Sequence, residues 1–450
     1  MDNHLHVVFC VDTEGPLYES PAALFTRVEQ HFGISLKPTP ENLANLQEGL
    51  GVPEDIREKV RQFTAPRLTT CYGDWQSIEK MLDSITGRAF RHNWEDSEGN
   101  GLKYSWFLLD HVGYETNPRR RILGHHAVFD FYREYLTKDC DAGDALQFHY
   151  HPLPYNKKAH SCATYYFNGN HLMTTLARKI IDRAWFPSAY RPAFHTIRPD
   201  SHWFLEQWIP FDYSSQAGRD DANGECSPDR FGDWRRAPHF WGGYHPSHDD
   251  YQVPGNCNRW IFRCLNANAR LRVVTPADVV YACRQARENG VAVLAVADHD
   301  FRNMELSIRP FYDLVRKAAA EHDVRLIFSN AHNAARAFAR LEAQGPGLGL
   351  ELRELPGEET HMLRVTSAQG IFGPQPFLAL KTRDGSYYYD NFDFDAASPK
   401  HCWSYVFDWQ TFGLDGIECI GVAASSPSGV VDVLRFWPAS QRQERQSLHG

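Results

Sequence analysis

No apolar stretch in this 450-residue chain approaches the roughly 20 residues needed to cross a bilayer. Positive charge is also in short supply. The formal net charge is −9, which excludes a broad cationic surface for nucleic acid or anionic lipid. A small, polar or sugar-like substrate fits better, and the oligomeric state stays open. The ten cysteines include no Cys-x-x-Cys pair, and those inside apolar segments, such as Cys10 and Cys283, read as reduced core residues. The opening Met-Asp-Asn-His-Leu-His lacks the basic start and apolar core of a secretory signal, so a cytoplasmic location is expected. Internal repeats, low-complexity tracts and coiled-coil heptads are absent too. Length suggests two to three domains.

What the chain does contain, up to about residue 344, is a recurring unit: a short apolar run, a loop rich in His, Asp or Pro, then a helical segment. That order is the mark of β/α units around a mostly parallel sheet. Strands are predicted at His6–Val11, Tyr104–Leu109, Ala145–Tyr150, Ala189–Phe194, Val291–Ala297 and Arg325–Ser329. The helix before Val291 has a capping Thr275, Pro276 at its first position and Gly290 as its stop. Another helix is expected over Arg309–His322. Nearly every polar cluster falls just after a strand, on the face where parallel α/β folds build their sites.

Two long stretches interrupt the pattern. Residues 16–102 are too long for a structureless loop, and with helical pieces such as Glu54–Phe63 they read as a helical insertion, either packed over the site face or peripheral. Gln216–Asn258 carries Trp234, Trp241, His239, His245, His248 and several aspartates between Asp220 and Asp250, a composition suited to sugar contact or to an ordered surface loop. Gly345-Pro346-Gly347-Leu348-Gly349 then reads as a linker. Beyond it, over residues 350–450, strand-like runs at His361–Thr366, Phe377–Lys381, Ser386–Asp390, Trp403–Phe407, Ile417–Val422 and Val430–Phe436, with a turn at Arg383-Asp384-Gly385-Ser386, predict a small antiparallel β-sandwich.

His149 and His151 lie one residue apart at a strand end, so period-two geometry points both imidazoles the same way. Pro152 follows at once and stops the ladder. Asp12 and Glu14 repeat the spacing at the end of the first apolar run. Two histidines and one carboxylate form a competent set of metal ligands.

Taken in order, Val11-Asp12-Thr13-Glu14-Gly15, His149-Tyr150-His151-Pro152, Tyr190-Arg191-Pro192, Phe211-Asp212-Tyr213-Ser214-Ser215 and Ala297-Asp298-His299-Asp300 resemble the motifs of the polysaccharide deacetylase (NodB-homology) superfamily over roughly residues 5–335. The fold implied is a distorted (β/α)7-type barrel over residues 1–344. The His-x-His spacing marks a variant branch, since the commoner pattern has three residues between the histidines. The resemblance implies that Glu14, His149 and His151 hold a divalent metal, most readily zinc, while Asp12 acts as base. It also implies that Arg191 pairs with Asp12 and that His299 is the general acid, a role its pKa range suits. Asp298 and Asp300 could orient His299, and Asp110, His111 and His195 could line the pocket. Phe211–Ser215 is a structural strand.

The activity implied is removal of an acetyl group from an N-acylated sugar or glycan. Another C–N or glycosidic hydrolase on the same barrel would keep the metal site and change the pocket. A non-haem iron oxygenase also uses two histidines and a carboxylate, but its carboxylate follows the first histidine closely, whereas Glu14 lies far upstream. An inactive carbohydrate-binding protein would use Tyr387, Tyr388, Tyr389, Trp403 or Trp409 as stacking platforms.

Overall fold

The computed structural model describes residues 3–110, 112–113, 124–157, 166, 169–218, 232–355 and 360–448. Its first sheet contains β1 (His4–Thr13), β2 (Tyr104–Leu109), β3 (Ala145–Tyr150), β4 (Ala189–Pro192), β5 (Phe211–Ser215), β6 (Gly243–Tyr244), β7 (Trp260–Asn266), β8 (Val291–His299) and β9 (Arg325–Phe328). Seven of these are parallel neighbours in the order β1-β2-β3-β4-β5-β7-β8 and back to β1, which closes a barrel. β6 pairs antiparallel with β7. The seam between β1 and β2 is only half closed, because β2 meets β1 from Phe9 onward. β9 covers the other half, pairing with His4 to Val7.

Strand alternation sorts the side chains. Leu5, Val7, Phe9 and Val11 pack outward against the surrounding helices, while Val8 and Cys10 enter the barrel with Phe107, Ala189, Tyr213, Cys264, Val293, Ala295 and Ala297. Continuing each strand by one more inward position brings a polar residue to the top: Asp12 on β1, His149 on β3, Arg191 on β4 and His299 on β8. The parity that fills the core therefore also aims the site.

The helix Pro276–Asn289 starts in a reciprocal capping box between Thr275 and Asp278, with Gly290 in the left-handed conformation at its end. The later helix runs Glu305–Glu321. Two strands of the barrel depart from expectation. β4 ends at Pro192 rather than Phe194, because Phe194 and His195 turn left-handed (φ 54° and 51°). β7 was not anticipated, since Arg263 interrupts its apolar run; its charge is buried against Asp278 (2.9 Å) and the Ala217 carbonyl (2.7 Å).

The insertion does two jobs. Its early part contributes Leu17, Glu19, Arg27, His31, Phe63 and Cys71 to a cavity over the barrel mouth. Its later helix, Trp75–Thr86, buries Ile78, Met81, Leu82 and Ile85 in the main core. In the described part of the second stretch, Trp234 and Trp241 are buried core residues, so neither offers an open face to a sugar. Asp220 lies outside the described residues.

The C-terminal sheets are β10 (Leu348–Glu354), β11 (His361–Ser367), β12 (Phe377–Thr382), β13 (Tyr387–Asp390), β14 (Asp393–Phe394), β15 (Cys402–Phe407), β16 (Ile417–Ser425), β17 (Val431–Trp437) and β18 (Arg442–Leu448). They form two antiparallel layers, β10-β11-β15-β14 and β13-β12-β16-β17-β18, around one shared core. The second layer lies on barrel helix His171–Arg183, and a Cβ on Gly421 would come within 2.6 Å of Ile180. Trp403 is fully buried in the sandwich and its indole donates to the Pro374 carbonyl (3.0 Å). Tyr387 donates to Asp182 (2.7 Å), and Tyr389 packs on Trp208 and Phe377. Of the expected stacking platforms, Tyr388 and Trp409 are the exposed ones. Among the described residues, no helix is long and apolar enough to cross a membrane.

Candidate metal centre

Asp12 and Glu14 leave the top of β1, and the turn that follows is fixed from β8. The Asp300 carboxylate accepts the Glu14 and Gly15 backbone N–H groups (2.8 and 2.9 Å) and the Tyr132 hydroxyl (2.9 Å). Gly15 has φ +68°, and a Cβ there would meet the Trp75 ring at 2.9 Å, so glycine is required. Across the mouth, β3 presents His149 and His151, whose ring centroids lie 5.0 Å apart. One ligand atom from each of Glu14, His149 and His151 falls within 4.8 Å of the other two, and all three side chains are buried.

The His149 ring shows which of its nitrogens is available. Nδ1 lies 2.9 Å from the Arg191 carbonyl, which can only accept, so Nδ1 carries the hydrogen. Nε2 is buried with no hydrogen-bond partner. A buried imidazole with one nitrogen pinned by a carbonyl and the other left bare is the arrangement of a metal-ligating histidine. His151 Nε2 lies 3.4 Å from Glu14 Oε1. This trio can therefore hold a metal ion.

Asp12, only 2 % exposed, sits beside the trio and belongs to Arg191. Arg191 Nε and Nη2 donate to its two carboxylate oxygens (2.7 and 3.0 Å) in a fork. The same guanidinium donates to the Tyr213 carbonyl (2.6 Å) and to Cys264 Sγ (3.0 Å), which fixes its plane. Burial by itself would raise the Asp12 pKa. The charge of Arg191 and its hydrogen bonds outweigh it and hold the carboxyl well below the usual carboxylate range.

His299 pairs with Asp12 in the β1–β8 register and lines the same cavity. Burial lowers its pKa to about 4, with Asp12 and Glu14 pulling the other way. Neither neighbouring aspartate orients its ring. Asp298 accepts the His299 backbone N–H (2.8 Å) and the Ser307 hydroxyl, and Asp300 is engaged with the β1 turn.

His195 does line the cavity, in strained left-handed backbone whose carbonyl accepts the Trp234 indole N–H (2.8 Å). Asp110 does not; it forms a buried ion pair with Lys179 (2.8 Å) behind the barrel wall. His111 lies outside the described residues. Asp212 pairs with the buried Arg259 (3.2 Å), in keeping with a structural strand.

The cavity encloses about 160 Å³ and has lining that the sequence reading missed: Glu19, Arg27, Arg270 and Arg302, with Phe63 and Phe301. Arg270 follows β7 and Arg302 follows β8, so loop position after a strand was the available signal. Compared with known proteins, the chain matches no family model and no curated protein.

Proposed function

We propose that this protein is a metal-dependent hydrolase that removes an acetyl or similar acyl group from an N-acylated sugar or glycan. The observation that carries the reading is the convergence of Glu14, His149 and His151 with a separate, arginine-clamped carboxylate, Asp12, beside them. The order of motifs around a seven-stranded parallel barrel supports kinship with the polysaccharide deacetylase superfamily.

Glu14, His149 and His151 would hold the ion, with zinc suited to two imidazoles and one carboxylate. When bound, such an ion supplies Lewis acidity and an acidified water. Asp12 accepts the proton as the water oxygen adds to the acyl carbon. Arg191 keeps Asp12 ionised and fixed in direction, so its lone pairs are ready without reorganisation. The C–N bond then breaks with its electron pair on nitrogen, and His299 delivers a proton to the leaving amine. With a resting pKa of about 4, His299 starts neutral, so the proton it hands to the leaving nitrogen is the one that Asp12 has taken from the water.

The test is amine release from N-acetylated sugars and glycans by the zinc-loaded full chain. Asp12→Asn should lower kcat by about 10²–10⁴-fold with the metal still bound. Deacetylation left untouched by that substitution would remove Asp12 from the mechanism.

A further inference from the structure

Above the metal centre the cavity lining carries more positive charge than the chemistry described so far uses. Arg191 is committed to Asp12, and Glu14 faces the ion site. What remains in the lining is three guanidiniums, Arg27, Arg270 and Arg302, against one carboxylate, Glu19. Glu19 is ion-paired with both Arg27 and Arg270 (2.9 Å to Arg270). Arg270 is further held by the Phe63 carbonyl (3.1 Å) and the Leu68 carbonyl (3.3 Å).

Arg302 is different. It is 7 % exposed, its Nη1 makes one long hydrogen bond to the Asn268 carbonyl (3.3 Å), and its buried Nε has no partner. The guanidinium plane rests on the Phe301 ring (4.8 Å), which orients it without neutralising it. It is near enough to Arg270 that its charge, after burial, is the next cause lowering the Arg270 pKa. Asp298 feels the Arg302 charge but, among the described residues, no hydrogen bond joins the two, and Arg270 already shares Glu19. A buried cation with an unused donor beside a second guanidinium is costly unless a further anion joins it. Planar donor forks in this position suit a carboxylate or a phosphate.

We infer that Arg302, with Arg270 beside it, forms an oxyanion subsite, and that the substrate whose acyl group lies at the metal centre carries a carboxylate or phosphate on the same sugar. The anion site stands on its own geometry, while its link to an N-acyl sugar rests on the deacylase reading. Arg302 is a specificity residue here and takes no part in bond breaking.

The test is calorimetric binding to the zinc-loaded Asp12→Asn protein, which reads affinity without turnover. Three probes are compared: an N-acetylated uronic acid, its neutral amide, and an N-acetylated sugar phosphate. At least one anionic probe should bind tenfold or more tightly than the neutral amide, and whichever does identifies the anion. Arg302→Gln should remove that preference and leave affinity for the amide unchanged. Arg302→Lys, which keeps the charge but loses the fork, should retain part of the preference and serves if the glutamine variant does not fold. Equal affinity for all three probes, or equal weakening of all three by either variant, would overturn the subsite. The two proposals fail separately: Arg302-dependent anion binding with no deacylation by the wild type sinks only the reaction, and deacylation indifferent to substrate charge sinks only the subsite.

Discussion

A carboxylate as buried as Asp12 stays ionised only while a cation is held against it, and Arg191 supplies that cation through two hydrogen bonds. Arg191→Gln should therefore cost about 3–5 kcal/mol of stability by urea unfolding, because it leaves a buried charge uncompensated. Adding Asp12→Asn to Arg191→Gln should recover part of that loss. No recovery in the double variant would mean that the guanidinium acts through Tyr213 and Cys264 instead. Histidines remote from the centre contribute to the acid behaviour. Burial holds His6 at about 4 and His332 at about 3, against an ordinary 6.5. As pH falls below about 6.5 the unfolded chain binds protons that the folded chain refuses, so a contribution complete above that pH drains away toward about pH 4. The urea midpoint should drop across this window, and less steeply in His332→Gln. Equal slopes in the two proteins would contradict the assignment.

Between elements, the strand ends are tied to one another rather than merely adjacent. Asp300, one residue past β8, holds the Glu14–Gly15 turn of β1, so removing its side chain should loosen Glu14, which it grips through the backbone alone. Asp300→Ala is expected to weaken metal affinity about 10–100-fold, read by competition with a chelating dye. Unchanged affinity would show that the turn holds without it. This scale also explains what could be read from the chain and what could not. Asp12 with Glu14 and His149 with His151 were legible because strand parity is local, and Thr275, Pro276 and Gly290 announced a helix by the same local chemistry. β7 was hidden by Arg263, whose charge is neutralised by residues distant in sequence. β18 was hidden by its composition: as an edge strand with partly exposed faces it keeps the polar run Arg442–Leu448. The arginines of the cavity come from an insertion helix and two separate loops, and no periodicity links them.

For the whole molecule, barrel and sandwich are joined by close backbone approach. Gly373 has φ +84°, and a Cβ there would lie 1.7 Å from the Gln207 carbonyl oxygen of the barrel. Gly373→Ala should lower stability by about 1–3 kcal/mol, through left-handed strain and a forced separation of the two layers, read as a shift in thermal unfolding. An unshifted transition would mean that the interface yields freely. The barrel brings the ends of β1 and β3 to one point, where Glu14, His149 and His151 could hold a metal ion. Anomalous diffraction at the zinc edge from a crystal of the zinc-loaded protein tests that claim most directly. The predicted result is a single strong peak bounded by Glu14, His149 and His151, with Asp12 outside its coordination and still joined to Arg191. A peak elsewhere, or none among these three side chains at full loading, would contradict it.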